Sequence, residues 1–120
     1  MQPAIQNLCN PMPDATAEEI TQSILTAKGV RLERIVSHGQ ASPEGFWYDQ
    51  EEAEWVMVIA GSARLAIEGQ TEERSLAAGD AIYLPAHCRH RVTWTDPKKP
   101  TVWIAFFIDA NLAPQFHKSA

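Results

Sequence analysis

No stretch of this sequence approaches the roughly 18 apolar residues needed to span a bilayer. Runs such as Trp55 to Ala60 have the length of a strand instead. Cysteine is scarce. Two residues, Cys9 and Cys88, are too few for a disulfide scaffold in a chain of 120 residues. Positive charge is in deficit: 10 lysines and arginines against 15 acids leave a net charge of -5 and a pI near 5.3. Such a chain repels phosphate backbones, so no nucleic-acid partner is expected. Met1 to Pro13 has neither the basic region nor the apolar stretch of a signal peptide. The expectation is a cytoplasmic protein without membrane contact. There is no internal repeat and no low-complexity stretch.

What is present suffices for one domain with a real core, since 45% of the residues are hydrophobic and 21% are charged. Residues 1–29 read as an arm carrying a short helix, 30–110 as a β-barrel and 111–120 as a polar tail. In the arm, Asp14 or Thr16 is placed to cap a helix, with Glu18 and Glu19 near its positive end. Ile20, Ile24 and Leu25 share a face at helical spacing, and Gly29 is the stop. From Val30 the period changes to that of strands. Arg31 to Val36 alternates imperfectly, Glu54 to Ile59 and Ala63 to Glu68 read as a hairpin around Gly61, and Ala81 to Leu84, His90 to Thr95 and Val102 to Ile108 follow. Many short strands at this spacing predict an all-β barrel or sandwich.

Polar residues interrupt the apolar strands in two places, Trp47 to Glu54 and Pro85 to Arg91. Period two puts Glu54 on one face with Val56 and Val58, and His90 on one face with Val92 and Trp94. A carboxylate among valines is costly to bury without a partner. Glu54 and His90 are therefore either mutual hydrogen-bond partners or ligands of a divalent transition metal, for which imidazole and carboxylate are suited.

The same segments resemble the cupin family. Glu54, six residues and Gly61 are similar to the end of its first motif; Gly79, five residues, Pro85, four residues and His90 are similar to its second. The resemblance covers about residues 30 to 108 and is closest to the small single-domain bacterial cupins. It implies a double-stranded β-helix, or jelly roll, with a site inside it. Metal-binding cupins use a His-x-His pair, a glutamate and a late histidine. Carried over, Glu54 takes the glutamate place and His90 the late histidine place; the His-x-His pair is absent, and its places fall on Trp47 and Asp49 or on Tyr48 and Gln50. The resemblance thus implies Asp49, Glu54, His87 and His90 as candidate metal ligands. His87, where the family usually has glycine, is either an extra ligand or a solvent-facing turn residue. Trp47, Tyr48, Gln50, Cys88 and Trp94 are candidate pocket residues, with Cys88 either a thiol ligand or a small buried hydrophobe.

Two functions follow as expectations: a metal-dependent cupin acting on a small polar molecule, and a metal-free binding or sensory module. The side on which Asp49 lies discriminates them. The outward parity of Trp55, Met57 and Ile59 predicts a homodimer, because a lone barrel leaves these side chains nowhere dry.

Overall fold

Alternating side chains set eight strands in the computed structural model, which describes residues 2–118. They are β1 (Ile20–Ala27), β2 (Val30–Ser37), β3 (Glu52–Ala60), β4 (Ser62–Ile67), β5 (Arg74–Ala77), β6 (Ala81–Leu84), β7 (His90–Thr95) and β8 (Thr101–Asp109). A single 3₁₀ turn, Ala110–Leu112, follows β8. One sheet has the order β1-β2-β8-β3-β6 and the other β5-β4-β7, and every pairing is antiparallel. The all-β expectation holds. The ladders form two sheets, however, and not one closed ring. Among the described residues no helix is long and apolar enough to cross a membrane.

The expected N-terminal helix is a strand. β1 pairs with β2 through a tight turn at Lys28-Gly29, where Gly29 has φ +85°. β-Branched residues favour a pleated strand over a helix here: Ile20, Thr21, Ile24 and Thr26 all belong to β1. The register skips one residue between Ser23 and Leu25, so Ile24 is bulged. A spacing of four, as from Ile20 to Ile24, fits two strand periods as well as about one helical turn, and the bulge brings Leu25 onto the face of Ile20 as a helix also would. Asp14 caps no helix; its carboxylate accepts from the Thr16 amide at 2.9 Å in a local turn. Residues 20–29 therefore belong to the sheet and not to a separate arm.

The expected β3–β4 hairpin is also revised. β3 pairs with β6 and β8, while β4 pairs with β5 and β7, so the Gly61 turn carries the chain from one sheet to the other. Gly61 sits at φ +84°, and a Cβ there would come within 2.6 Å of the Pro100 carbonyl. Both the backbone angle and the space require glycine.

Between the sheets lies the main core, which includes Val56, Val58, Leu65, Leu76, Leu84, Trp103, Ala105 and Phe107. A second cluster, on Ala15, Val36 and Val102, is covered by the N-terminal segment through Cys9 and Met12, and Ile59 packs against it. Ile59 thus finds dry surroundings inside its own chain, against the expectation that it needs a partner subunit. Hydrogen bonds from Gln40 Nε2 to the Ala15 carbonyl (2.7 Å) and from Arg34 Nη1 to the Leu8 carbonyl (3.3 Å) tie that segment down.

Candidate functional site: a buried carboxylate and imidazole facing one cavity

β3 keeps its period of two, so Glu54 points the same way as Val56 and Val58, into the space between the sheets. His90 begins β7 in the opposite sheet, opposite Ile67 of β4. The two side chains meet across the sandwich with His90 Nε2 3.6 Å from Glu54 Oε1. This is ion-pair distance, slightly beyond a direct hydrogen bond. Both residues are buried, Glu54 at 8% and His90 at 6% exposure. His90 Nδ1 lies 2.8 Å from the Cys88 carbonyl. A carbonyl only accepts, so Nδ1 carries a proton and Nε2 is left to face Glu54. Burial by itself pushes the imidazole pKa down. The facing Glu54 carboxylate and the Cys88 carbonyl outweigh it and hold His90 above its ordinary 6.5.

The pair opens onto a cavity of about 540 Å³, a volume suited to a small organic molecule. Val56, Leu65, Leu84, Val92, Trp103 and Phe107 give it apolar walls, and Tyr48, Gln50, Gln40, Glu19, Arg31 and Glu33 supply polar groups. The Tyr48 ring stacks on His90 with centroids 5.3 Å apart, and a two-way backbone bridge between these residues fixes the stack. Burial, then the charges of Glu19 and Glu54, hold the Tyr48 phenol above its ordinary pKa. Arg31 is clamped between Glu33 (2.7 Å) and a two-point contact with Glu52 (2.8 and 3.2 Å), over the Phe107 ring at 3.9 Å. The Glu52 hydrogen bond, opposed by burial and helped by Glu33, raises the guanidinium pKa further.

The candidate metal ligands divide into two separate pairs. Glu54 and His90 face the cavity; Asp49 and His87 meet each other outside it, at 2.7 Å, with side chains 48% and 64% exposed. His87 has φ 61°, the left-handed conformation that a glycine normally serves at this turn, and its amide donates to the Gln50 carbonyl. Its side chain is directed to Asp49, not to the cavity. Among the described residues no group of three or more His, Cys, Asp or Glu is arranged to hold a metal ion. A catalytic centre of the zinc type draws three protein ligands, and only two donors converge here. At the places of the missing His-x-His pair, Tyr48 stacks on the imidazole and Gln50 lines the wall. The donor set does not fit a four-ligand metal centre.

Of the candidate pocket residues, Tyr48 and Gln50 line the cavity. Trp47 lies half-buried below Arg91 instead, at 5.9 Å. Trp94 turns outward beneath Arg64, at 4.7 Å, because β7 carries an extra residue, Thr93, between Val92 and Trp94. The bulge reverses the parity, and Thr95 is buried in place of Trp94. Cys88 packs against the core, and burial raises its thiol pKa, which disfavours the thiolate. Its contribution to the site is its carbonyl. The residues not anticipated are Glu19, Arg31, Glu33 and Gln40. A signal for two of them was present: in β2, Arg31 and Glu33 share a face with Ile35, and that face turns inward.

A two-sheet antiparallel sandwich with a polar centre between its sheets belongs to the jelly-roll class of proteins. Residues 33–107 match the family model described as the cupin domain, and the chain is a member of the cupin family. The fold is similar to the crystal structure of a "putative mannose-6-phosphate isomerase" from Ralstonia eutropha, with a TM-score of 0.87 and 52% identity over 90% of this chain and 100% of that one. A cupin 2 conserved barrel domain protein from Salinispora arenicola matches with TM-score 0.65 and 23% identity, covering 93% of each chain. An RmlC-like cupin from Shewanella frigidimarina matches with TM-score 0.61 and 20% identity over 77% of each. The last two support the fold alone. No curated protein matches the sequence.

Proposed function

We propose that this cupin binds a small polar molecule in the cavity between its sheets, anchored by Glu54 and His90 and without a resident metal. The observation that carries this reading is the division of the four candidate ligands: Glu54 and His90 meet at the cavity, while Asp49 and His87 are consumed in a pair outside it. A carboxylate and an imidazole held in a mostly apolar cavity are suited to orient a ligand or to exchange a proton with it. The name of the Ralstonia neighbour supports a role on a small molecule.

The competing reading is a divalent metal held by Glu54 and His90 with ligand or solvent completing the shell. What favours it is that both residues occupy cupin ligand places and face the cavity. Plasma mass spectrometry of untagged protein, beside a Glu54→Gln/His90→Ala variant, decides between them. The expected result is no stoichiometric transition metal in the parent, before or after reconstitution. One metal per chain in the parent and little in the variant would overturn the metal-free reading.

We also propose a homodimer across the outer face of the larger sheet. The register lines up Tyr83, Trp55, Phe106 and Leu32 in one outward row, all half-buried, with Leu25 beyond them 63% exposed. An apolar row of this kind is suited to a self-complementary contact. Light scattering after size exclusion should give twice the chain mass, and Trp55→Glu should give the monomer. A monomeric parent at all concentrations would rule the dimer out.

A further inference from the structure

We propose that Ser37 and Glu19 are positioning residues of the cavity: a hydrogen-bond chain from Trp103 through the Ser37 hydroxyl to Glu19 fixes the indole in the cavity wall. This rests on the reading of the cavity as a ligand site and adds the residues that hold its shape.

The chain of bonds begins on β8 and ends just before β1. Trp103 Nε1 donates to Ser37 Oγ at 3.1 Å, and Ser37 Oγ donates to Glu19 Oε2 at 2.6 Å. The groups themselves set this direction. An indole N–H only donates and a carboxylate only accepts, so the hydroxyl between them accepts from one and donates to the other. Ser37 shares its face of β2 with Ile35, which lines the cavity. It is 0% exposed, and Trp103 is 4% exposed. Both ends of the chain, Trp103 and Glu19, line the cavity, and Glu19 is exposed to solvent. The bonds therefore run from the mouth to the inner wall.

A hydroxyl bound to a carboxylate makes a shorter and stronger hydrogen bond than one between neutral groups, and 2.6 Å lies in that range. The links support each other, because a hydroxyl polarised by Glu19 is a better acceptor for the indole. Pairing with Ile35 of β2 and Val58 of β3 fixes the Trp103 backbone. What the bonds control is rotation of the side chain. Without the Ser37 hydroxyl the indole N–H is left buried with no acceptor, which costs free energy, and the open space beside the ring is the cavity. Without Glu19 the hydroxyl loses the partner that points its lone pairs at the indole. A wall already held in one position spares a ligand the cost of ordering it.

The test uses the full chain and phenol, a probe with a ring for the apolar walls and a hydroxyl for the Glu54–His90 pair. Binding is read by NMR shifts of the cavity amides, and the hold on the Trp103 indole by its N–H exchange with solvent. Glu19→Gln keeps a carbonyl acceptor for Ser37 and should leave both readouts within about twofold of the parent. Glu19→Ala and Ser37→Ala should speed indole exchange and weaken phenol binding by about two- to tenfold, the net effect of one hydrogen bond. Because Glu19 is exposed, its variants keep the test valid should Ser37→Ala fail to fold. Met12→Ala trims the cluster on the outer face and controls for lost stability; it should leave both readouts as in the parent. Equal phenol affinity and indole exchange in the parent, Glu19→Ala and Ser37→Ala would overturn the positioning role while leaving the cavity a ligand site. A loss in Met12→Ala as large as in Glu19→Ala would do the same. Phenol that moves no cavity signal in the parent would overturn the site, and the role with it.

Discussion

Two histidine–carboxylate pairs stand close together in sequence and differ in almost every physical respect. Asp49 and His87 are 2.7 Å apart and exposed to solvent, whereas Glu54 and His90 are 3.6 Å apart and buried. Going from 2.7 to 3.6 Å weakens a bare Coulomb interaction by about a quarter. Going from bulk water to the effective dielectric of a protein site strengthens it about fourfold. Burial outweighs distance here. The shorter contact is an ordinary solvated pair, whose net worth is small, and the longer one is buried and faces the cavity.

The comparison can be broken most directly by removing one imidazole at a time. His90→Ala leaves Glu54 buried without its counter-charge and should cost about 3 kcal/mol of unfolding free energy, read by urea denaturation. Adding Glu54→Gln should restore at least about 1 kcal/mol of that loss, because the second change removes the uncompensated charge. A double variant less stable than the single would show that the pair is not coupled.

The pH dependence sharpens the contrast next. Folded His90 holds its proton above the ordinary 6.5 because Glu54 and the Cys88 carbonyl outweigh burial. Its protonation therefore contributes stability that is fully present below about pH 6.5 and lost as pH rises through the raised folded value. Relative to His90→Gln, the parent should lose stability as pH rises from 6.5 through the raised folded value. An NMR titration of the His90 ring should have its midpoint above 6.5. A midpoint below that value would mean that desolvation wins.

The smallest effects belong to the exposed pair. His87 sits at φ 61°, a conformation that costs a non-glycine residue about 1 kcal/mol. His87→Gly should therefore raise stability by up to about 1 kcal/mol despite losing the contact with Asp49. Asp49→Asn should leave the midpoint of denaturation within measurement error. A large loss in either variant would promote this pair from surface contact to structural element.

The same contrast shows how far the residues could be read in advance. Glu54 sharing a face with Val56 and Val58 followed from period two, and the structure keeps it. The Glu54–Gly61 and Gly79–Pro85–His90 spacings carried the family, which the match over residues 33–107 bears out. Trp94 was misplaced by the same rule that placed Glu54, because one bulged residue reverses everything after it. The N-terminal helix failed for a related reason: the bulge at Ile24 puts Leu25 on the face of Ile20, and the Ile20–Ile24 spacing fits a strand as well as a helix.

By itself the sequence determined the strand periods, the glycine turns and the inward direction of Glu54, since each depends on a few neighbouring residues. Only the tertiary structure decided that Glu54 meets His90 from the opposite sheet, that Asp49 pairs with His87 outside the cavity, and that β3 and β4 part company at Gly61. It also decided that Glu19 and Glu33 join the cavity wall. These outcomes depend on register and bulges, which are fixed by pairing between strands far apart in the chain, and no local pattern contains them.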